Sequence, residues 1–572
     1  MDADDGRARA RARGAIAAAL ASLATLLPAA PQAGAFSLSD LVASPADNRA
    51  GANSDLTLGL TVQEPAADLR DLTIHLPPGL VGNPLATPTC SESQLAADAC
   101  PAASDVGDIS NGVTVTVLGF VPVPLTVSGH VYNVTPRAGE PARFGIVLNP
   151  LPFDVPLLGD VLFPKLVLQS GAVLRPGDFG LDTVLTDLPN STTVAGMQTQ
   201  IDIRTVEMTL SGQVGNPPQG FLRNPTSCGT HTVGFSARAY NGATASGSTT
   251  FETTDCAALP FAPGFSAKLR PQGRRGLKPR VTTAITQTVA EAGLRRARVF
   301  LPRELGADNA VLSNQCAEDQ FQAGACPEAS IVGTAVAASP LQSEPLTGPV
   351  ALVTPTAPGL PEIGLDLRGP LALKLKGSFV LGPQGTGVEF EGLPDIPISN
   401  FELTFDGGAK GLVVASRSVC DPPALEFSTD FLAHSGAATS GTTAADVEGC
   451  GKQGAKPRAK LKLAKLASGK PRLRLRVRAG SEKLRKAKLK LPKQLAFASG
   501  KRFARGTKTT AKVKHTRRSL TLRRGGAGSL TVKVAKGALK AKPGIRANAK
   551  LRFKVAVTDV TGHKTKLRIR SR

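Results

Sequence analysis

The residues in this 572-residue chain that could carry chemistry are eight cysteines, six histidines and scattered carboxylates. The cysteines form two copies of one pattern: Cys90, Cys100, Cys228 and Cys256, then Cys316, Cys326, Cys420 and Cys450. Thiols so spaced could pair or hold a metal. A Cys-x9-Cys spacing does not suit a zinc knuckle, and no histidine lies near a pair at ligand spacing. Disulfides within each copy are therefore expected, with Cys90–Cys100 and Cys316–Cys326 as local staples and Cys228–Cys256 and Cys420–Cys450 as longer ones. Closing a ten-residue loop stabilises by ~2–3 kcal/mol on the chain-entropy account.

The histidines are His75, His130, His231, His434, His515 and His563, and none stands in HExxH or beside a nucleophile motif. His75 lies in a strand-like run, DLTIHL. Its counterpart in the second copy is Phe300, which suggests packing, and His130 is matched by Pro349. No GxSxG occurs. FDGGAKG (405–411) lacks the Lys-Ser/Thr of a phosphate loop and reads as a hairpin turn. Glu389 and Glu391 share one strand face, which is more often a solvated face than a glycosidase pair. DISNG (108–112), LTDLPNS (185–191) and LPDIPIS (393–399) lack the dense acid alternation of a calcium loop. No catalytic, cofactor or metal site is assigned.

Charge carries the one functional argument. Residues 451–572 hold 40 Lys and Arg against two acids, Glu482 and Asp559, a formal charge of +38. Residues 1–450 hold 28 against 42, or −14. Arg472, Arg474, Arg476 and Arg478 alternate with apolar residues, and Lys486, Lys488 and Lys490 do the same. Period two puts cations on one strand face and apolar side chains on the other. With Arg517, Arg518, Arg523 and Arg524, these are the candidate polyanion-binding residues. A polyanion bound there would release counterions and leave in salt. The partners that fit are an anionic cell-wall polymer, an acidic polysaccharide or lipid headgroups; the alternative is self-association with the acidic body. A dedicated nucleic-acid role is disfavoured, because residues 451–572 contain no Tyr or Trp, and only Phe497, Phe503 and Phe553 could stack.

These residues must be positioned by a mainly β fold. The pattern LRxxxxxLPxxL occurs at Leu69–Leu80, Leu294–Leu305 and Leu484–Leu495. Cys90-SESQLAADA-Cys100-PAASDVG aligns with Cys316-AEDQFQAGA-Cys326-PEASIVG, and Val134-Thr135-Pro136 with Val353-Thr354-Pro355. The chain is thus a duplicated unit followed by a cysteine-free relative. Short alternating runs between Gly, Pro, Asn and Asp imply tandem β-sandwich-like (Ig-like) domains. A short helix is expected inside each local staple. The expected divisions are 1–35, 36–262, 263–455 and 456–572.

Residues 1–35 read as a signal peptide. Arg7, Arg9, Arg11 and Arg13 precede the apolar run 14–30, and Ala33-Gly34-Ala35 supplies a small-x-small cleavage pattern before Phe36. The alternative is an uncleaved anchor. Export makes paired thiols reasonable.

The LP-[PR]-x-L…C-x9-CP-x-AS-x-VG pattern, with GHVYNVTPRAGEPARFGIVL (129–148), resembles uncharacterised secreted proteins of high-GC Gram-positive bacteria across most of 50–450. The resemblance implies export and architecture and carries no site residues. The sequence therefore points to an exported, non-enzymatic protein of the cell envelope. The alternatives are a secreted hydrolase whose site is not visible in local motifs, and a polyanion or nucleic-acid binder.

Overall fold

The structure, a computed structural model, describes residues 36–571 apart from 64–67, 156–158, 273–276, 451–455, 481, 536, 548 and 561. The expected signal peptide at 1–35 lies outside the described residues. The chain is mainly β, organised as β-sandwich-like bodies that are stapled in the first two repeats.

The first body is built on a 12-stranded sheet. Its main path runs Ser37–Pro45, Leu56–Gln63, Met197–Leu210, Asp105–Val117, Val121–Val134, Arg143–Leu148, Leu166–Leu174, Leu181–Leu185, Leu69–His75, Gly229–Ala239, Thr244–Thr253. The two end strands lie against each other, and a bridge between Arg49 and Thr254 ties the segments just beyond them. The sheet thus rolls onto itself, and the apolar side chains of its strands form a single core.

The second body repeats this path strand for strand: Gly264–Arg270, Arg280–Thr286, Asn400–Phe405, Ile331–Ala338, Leu346–Val353, Glu362–Arg368, Ala372–Gly382, Gly385–Glu391, Leu294–Phe300, Glu426–Ala433, Ala438–Ala444. One difference between the two bears directly on the core. In the first body, Arg143–Leu148 reaches Leu166–Leu174 through a hairpin, Leu151–Val155 with Gly159–Phe163, whose Phe153, Val155 and Phe163 are buried in the core. In the second, Glu362–Arg368 and Ala372–Gly382 are joined by Gly369, Pro370 and Leu371 alone.

The local staples dock in the same way twice. Ser91 caps the helix Glu92–Ala96, with Gln94 reaching back to the Ser91 amide. The second copy has Glu318–Ala323, with Gln320 in that role. Cys90 N donates to Asn133 O at 2.8 Å and Cys316 N donates to Leu352 O at 2.7 Å. Leu95 and Phe321 fill the corresponding buried positions under the two loops.

The basic module is two sheets packed face to face. One has the order Arg458–Ala464, Arg472–Arg478, Ser529–Val534, Thr507–Thr509. The other has Lys512–Thr516, Ser519–Ala527, Leu484–Lys490, Arg552–Asp559, Lys564–Arg570. Buried and exposed residues alternate strictly along Arg472–Arg478. Leu473, Leu475 and Val477 meet Leu489, Leu520 and Leu522 in one core, so every outward position of both sheets faces water.

FDGGAKG is not a hairpin turn. Asn400–Phe405 belongs to the second large sheet, whereas Val413–Ala415 pairs with Leu305–Ala307. The glycines, with a short 3-10 turn at Gly408–Lys410, carry the chain from one sheet to another.

The first two bodies are joined by a buried carboxylate. Asp395 accepts from the Thr226 amide at 2.7 Å and from Thr226 Oγ1 at 2.5 Å. The same hydroxyl oxygen accepts from the Gly293 amide. A Cβ at Gly79, where φ is +87°, or at Gly293 would run into the Asp395 side chain. Arg223 Nη2 also crosses the junction, donating to Glu291 O at 2.9 Å. Burial pulls the Arg223 pKa down, and the Asp395 charge opposes that shift.

Candidate functional site

Two places gather polar chemistry. The first is on the outer face of the first sheet. His75 Nδ1 is 2.8 Å from Asp182 Oδ1, and His75 Nε2 is 2.9 Å from Ser236 Oγ. Three neighbouring strands supply these side chains, brought into register by Asp182↔His75 and His75↔Gly234. His75 is thus a half-buried strand residue, as expected, whose ring joins a polar chain.

The connectivity matches nucleophile, base and orienting acid, but the surroundings do not complete a hydrolase. Ser236 lies inside Gly229–Ala239, which is paired on both sides, so the ladder occupies the backbone amides that could form an oxyanion hole. Asp182 Oδ1 also accepts from Arg175 Nη1 at 2.6 Å. That guanidinium further binds Asp178 and the carbonyls of Leu76 and Leu181, fixing a turn. At the matching register positions the second copy has Phe300, Gly387 and Asp430.

Glu389 is likewise not a solvated carboxylate. It is ion-paired to Arg298 and Arg296 and is only 14% exposed. Among the described residues no group of three or more His, Cys, Asp or Glu side chains could hold a metal ion.

The second place is the basic module. Cross-strand register stacks cations into rungs. In the first of its sheets, Lys462, Arg474, Lys533 and Lys508 stand opposite one another across four strands. In the other, Lys512, Arg523, Lys486, Thr558 and Lys564 form a rung across all five. Arg485 and Arg524 join the second rung to line an open basin walled by Thr509, Thr510 and Thr558. None of these cations has a carboxylate within 4.0 Å among the described residues.

The residues expected from the sequence separate onto two faces. Arg472, Arg474, Arg476 and Arg478 are exposed on one outer face. Lys486, Lys488, Lys490, Arg523 and Arg524 are on the opposite one, where only Lys486, Arg523 and Arg524 enter the basin. Arg517 and Arg518 occupy the hairpin tip between Thr516 and Ser519, at the far end of that strand pair. The basin members Arg485, Lys512 and Lys564 were missed from sequence, although the last two fall in alternating basic runs. Phe497, Phe503 and Phe553 are all buried, so none offers a stacking surface to a base.

No family model matches the chain, and no curated protein matches it. Solved structures give weak overall matches. One is a protein from Corynebacterium diphtheriae described as membrane anchored: 10% identity, 82% of this chain and 94% of that one, TM-score 0.16. Another is the Enterococcus faecalis MSCRAMM ACE: 8%, 72% and 95%, TM-score 0.17. A third is a tetra-tandem repeat from the extending region of a large adhesion protein: 10%, 94% and 100%, TM-score 0.15. At such scores none carries an argument about this chain.

Proposed function

We propose that this is an exported, non-enzymatic interaction protein of the cell envelope, held at an anionic surface by its C-terminal module. The observation that supports this reading is the set of cation rungs with no acidic partner among the described residues. Like charges opposed across strands cost stability, and an anionic partner would relieve that cost. The four disulfides fit an oxidising compartment. A cell-wall polymer, an acidic polysaccharide or lipid headgroups would all suit the cations.

The test is retention of full-length protein on isolated cell walls and on anionic vesicles across a salt series. Replacing Lys486, Lys512 and Lys564 by Gln removes three of that rung's four cations at roughly 1 kcal/mol each near an anionic surface. A ~100-fold loss of affinity and a shallower salt slope are expected. Unchanged retention would sink the reading. N-terminal sequencing of protein from the medium, expected to begin at Phe36, tests export.

A second reading, secreted hydrolysis at Ser236, draws on the His75–Asp182–Ser236 chain. A serine-directed fluorophosphonate decides it. Labelling lost in Ser236→Ala would establish that reading, whereas no labelling is expected from the occupied ladder around Ser236.

A further inference from the structure

An elongated apolar cavity of about 180 Å³ lies in the second body and is completed by first-body residues such as Val81, Pro141 and Phe179; the space in the equivalent place of the first body is about 50 Å³. The difference goes with one connection that the two copies do not share. In the first, the hairpin Leu151–Phe163 pushes Phe153, Val155 and Phe163 into the core, and Phe163 lines what space is left. In the second, the three-residue link at Gly369–Leu371 supplies no such plug.

The cavity's dimensions select its occupant. Along Arg280–Thr286 and one residue beyond, it is lined at alternate positions by Val281, Thr283, Ile285 and Gln287. Six residues of strand at ~3.3 Å each make a length of roughly 20 Å. So small a volume over that length makes a narrow channel that admits at most one linear chain and excludes fused rings. Phe401, Leu403 and Phe405, paired with Ile285, Thr283 and Val281 on the neighbouring strand, extend the same wall; Leu373, Leu375, Val388 and Phe390 also line the cavity, and no charged side chain does. A cavity of roughly 150 Å³ lined in this way already stays dry and takes up small apolar molecules.

The polar groups gather at one end. Thr286 and Ala338 both pair with Asn400, which places Gln287, Ser339 and Gln342 together at the rim. The neighbouring segment 393–399 meets the first body through Asp395 and Thr226, and first-body Leu174 and Phe179 line the cavity and pack on the second body's core. Phe179 is held at φ +60°, a left-handed conformation that costs a bulky residue energy. Arg175, bonded to Asp178 and Asp182, fixes the turn that presents it.

We propose that this cavity binds a single linear acyl chain, its tail along Val281–Gln287 and its polar head at the Gln287–Ser339–Gln342 rim beside Phe179. The head could be that of a free fatty acid or of a neutral single-chain lipid. This site is separate from the cationic faces and does not depend on them.

The test uses delipidated full-length protein titrated with cis-parinaric acid. One saturable site is expected, displaced by dodecanoic acid or 1-monododecanoylglycerol and not by the ring-fused cholic acid. The stronger of the two linear competitors identifies the head. Ala297→Leu and Ala337→Leu fill the channel and should weaken binding by about tenfold or more without lowering the melting temperature. The chain contains no Trp. Phe179→Trp therefore places a single tryptophan at the mouth, and on excitation at about 295 nm, where Tyr132 and Tyr240 hardly absorb, energy transfer to bound cis-parinaric acid is expected. The proposal is overturned by absence of saturable binding to the wild type, by equal displacement with cholic acid, or by folded filling variants that bind within twofold of wild type. Binding without transfer from the tryptophan would overturn it too, even if the filling variants failed to fold.

Discussion

Asp395→Ala should uncouple the first two bodies. Asp395 is 5% exposed and Thr226 is 1% exposed, so water cannot replace what the substitution removes. Two hydrogen bonds to the carboxylate are lost, from Thr226 N and Thr226 Oγ1. Bonds to a charged group contribute ~1.5–3 kcal/mol each, and a buried donor left unpaired adds its desolvation cost. The expected loss is about 3–5 kcal/mol, in the range for breaking a buried charged contact. Asp395→Asn keeps an acceptor and should cost roughly 1–2 kcal/mol less than the alanine. The assay is urea unfolding followed by two probes. The only tyrosines, Tyr132 and Tyr240, are in the first body, so tyrosine fluorescence follows that body while far-UV circular dichroism follows the whole chain. A separation between the two transitions should open or widen in Asp395→Ala. If the variant stays within ~0.5 kcal/mol of wild type and the spacing of its transitions is unchanged, the carboxylate does not hold the junction.

Three other perturbations have outcomes set by the same kinds of contact. Arg474→Thr removes the centre of the Lys462–Arg474–Lys533 rung and should raise stability by ~0.2–1 kcal/mol at low salt, a gain that fades in 1 M salt, as thermal melts would show. Burial, and then the facing Asp202 carboxylate, push the Asp68 carboxyl up to about 6 from its ordinary 3.8. The folded chain therefore holds that proton more tightly. The associated stability is full below about pH 4 and disappears as pH rises through about 6. Asp68→Asn should flatten the stability profile across that window by under about 1 kcal/mol, since the group is partly solvated. Replacing Cys90 and Cys100 together by Ser should lower stability by ~2–3 kcal/mol and spare the Cys316–Cys326 copy.

Sequence reading reached whatever is set by near neighbours or by repetition. The Cys90–Cys100 staple and its capped helix lie within ten residues, and duplication made the second copy a check on the first. Alternation along Arg472–Arg478 showed which side chains would face water, because strand period alone decides that. It could not show that Arg472–Arg478 and Leu484–Lys490 enter different sheets, since that depends on pairing with strands that are distant along the chain. The same reason hid Asp182 and Ser236 from His75, at separations of 107 and 161 residues. Asp395 looked like an ordinary loop acid in LPDIPIS. Its burial depends on Gly79 and Gly293, whose missing side chains make room for it.

The placement of cations on both outer faces of the basic module bears on what happens after it lands. A flat anionic surface can neutralise only one face of such a plate. The other still points away, carrying Arg472–Arg478 or the Lys486 basin as its outermost layer. A saturated coat of this protein should therefore reverse the sign of the surface it covers. Coated particles should change the direction in which they migrate in an electric field, and two anionic surfaces that repel when bare should stick together at partial coverage.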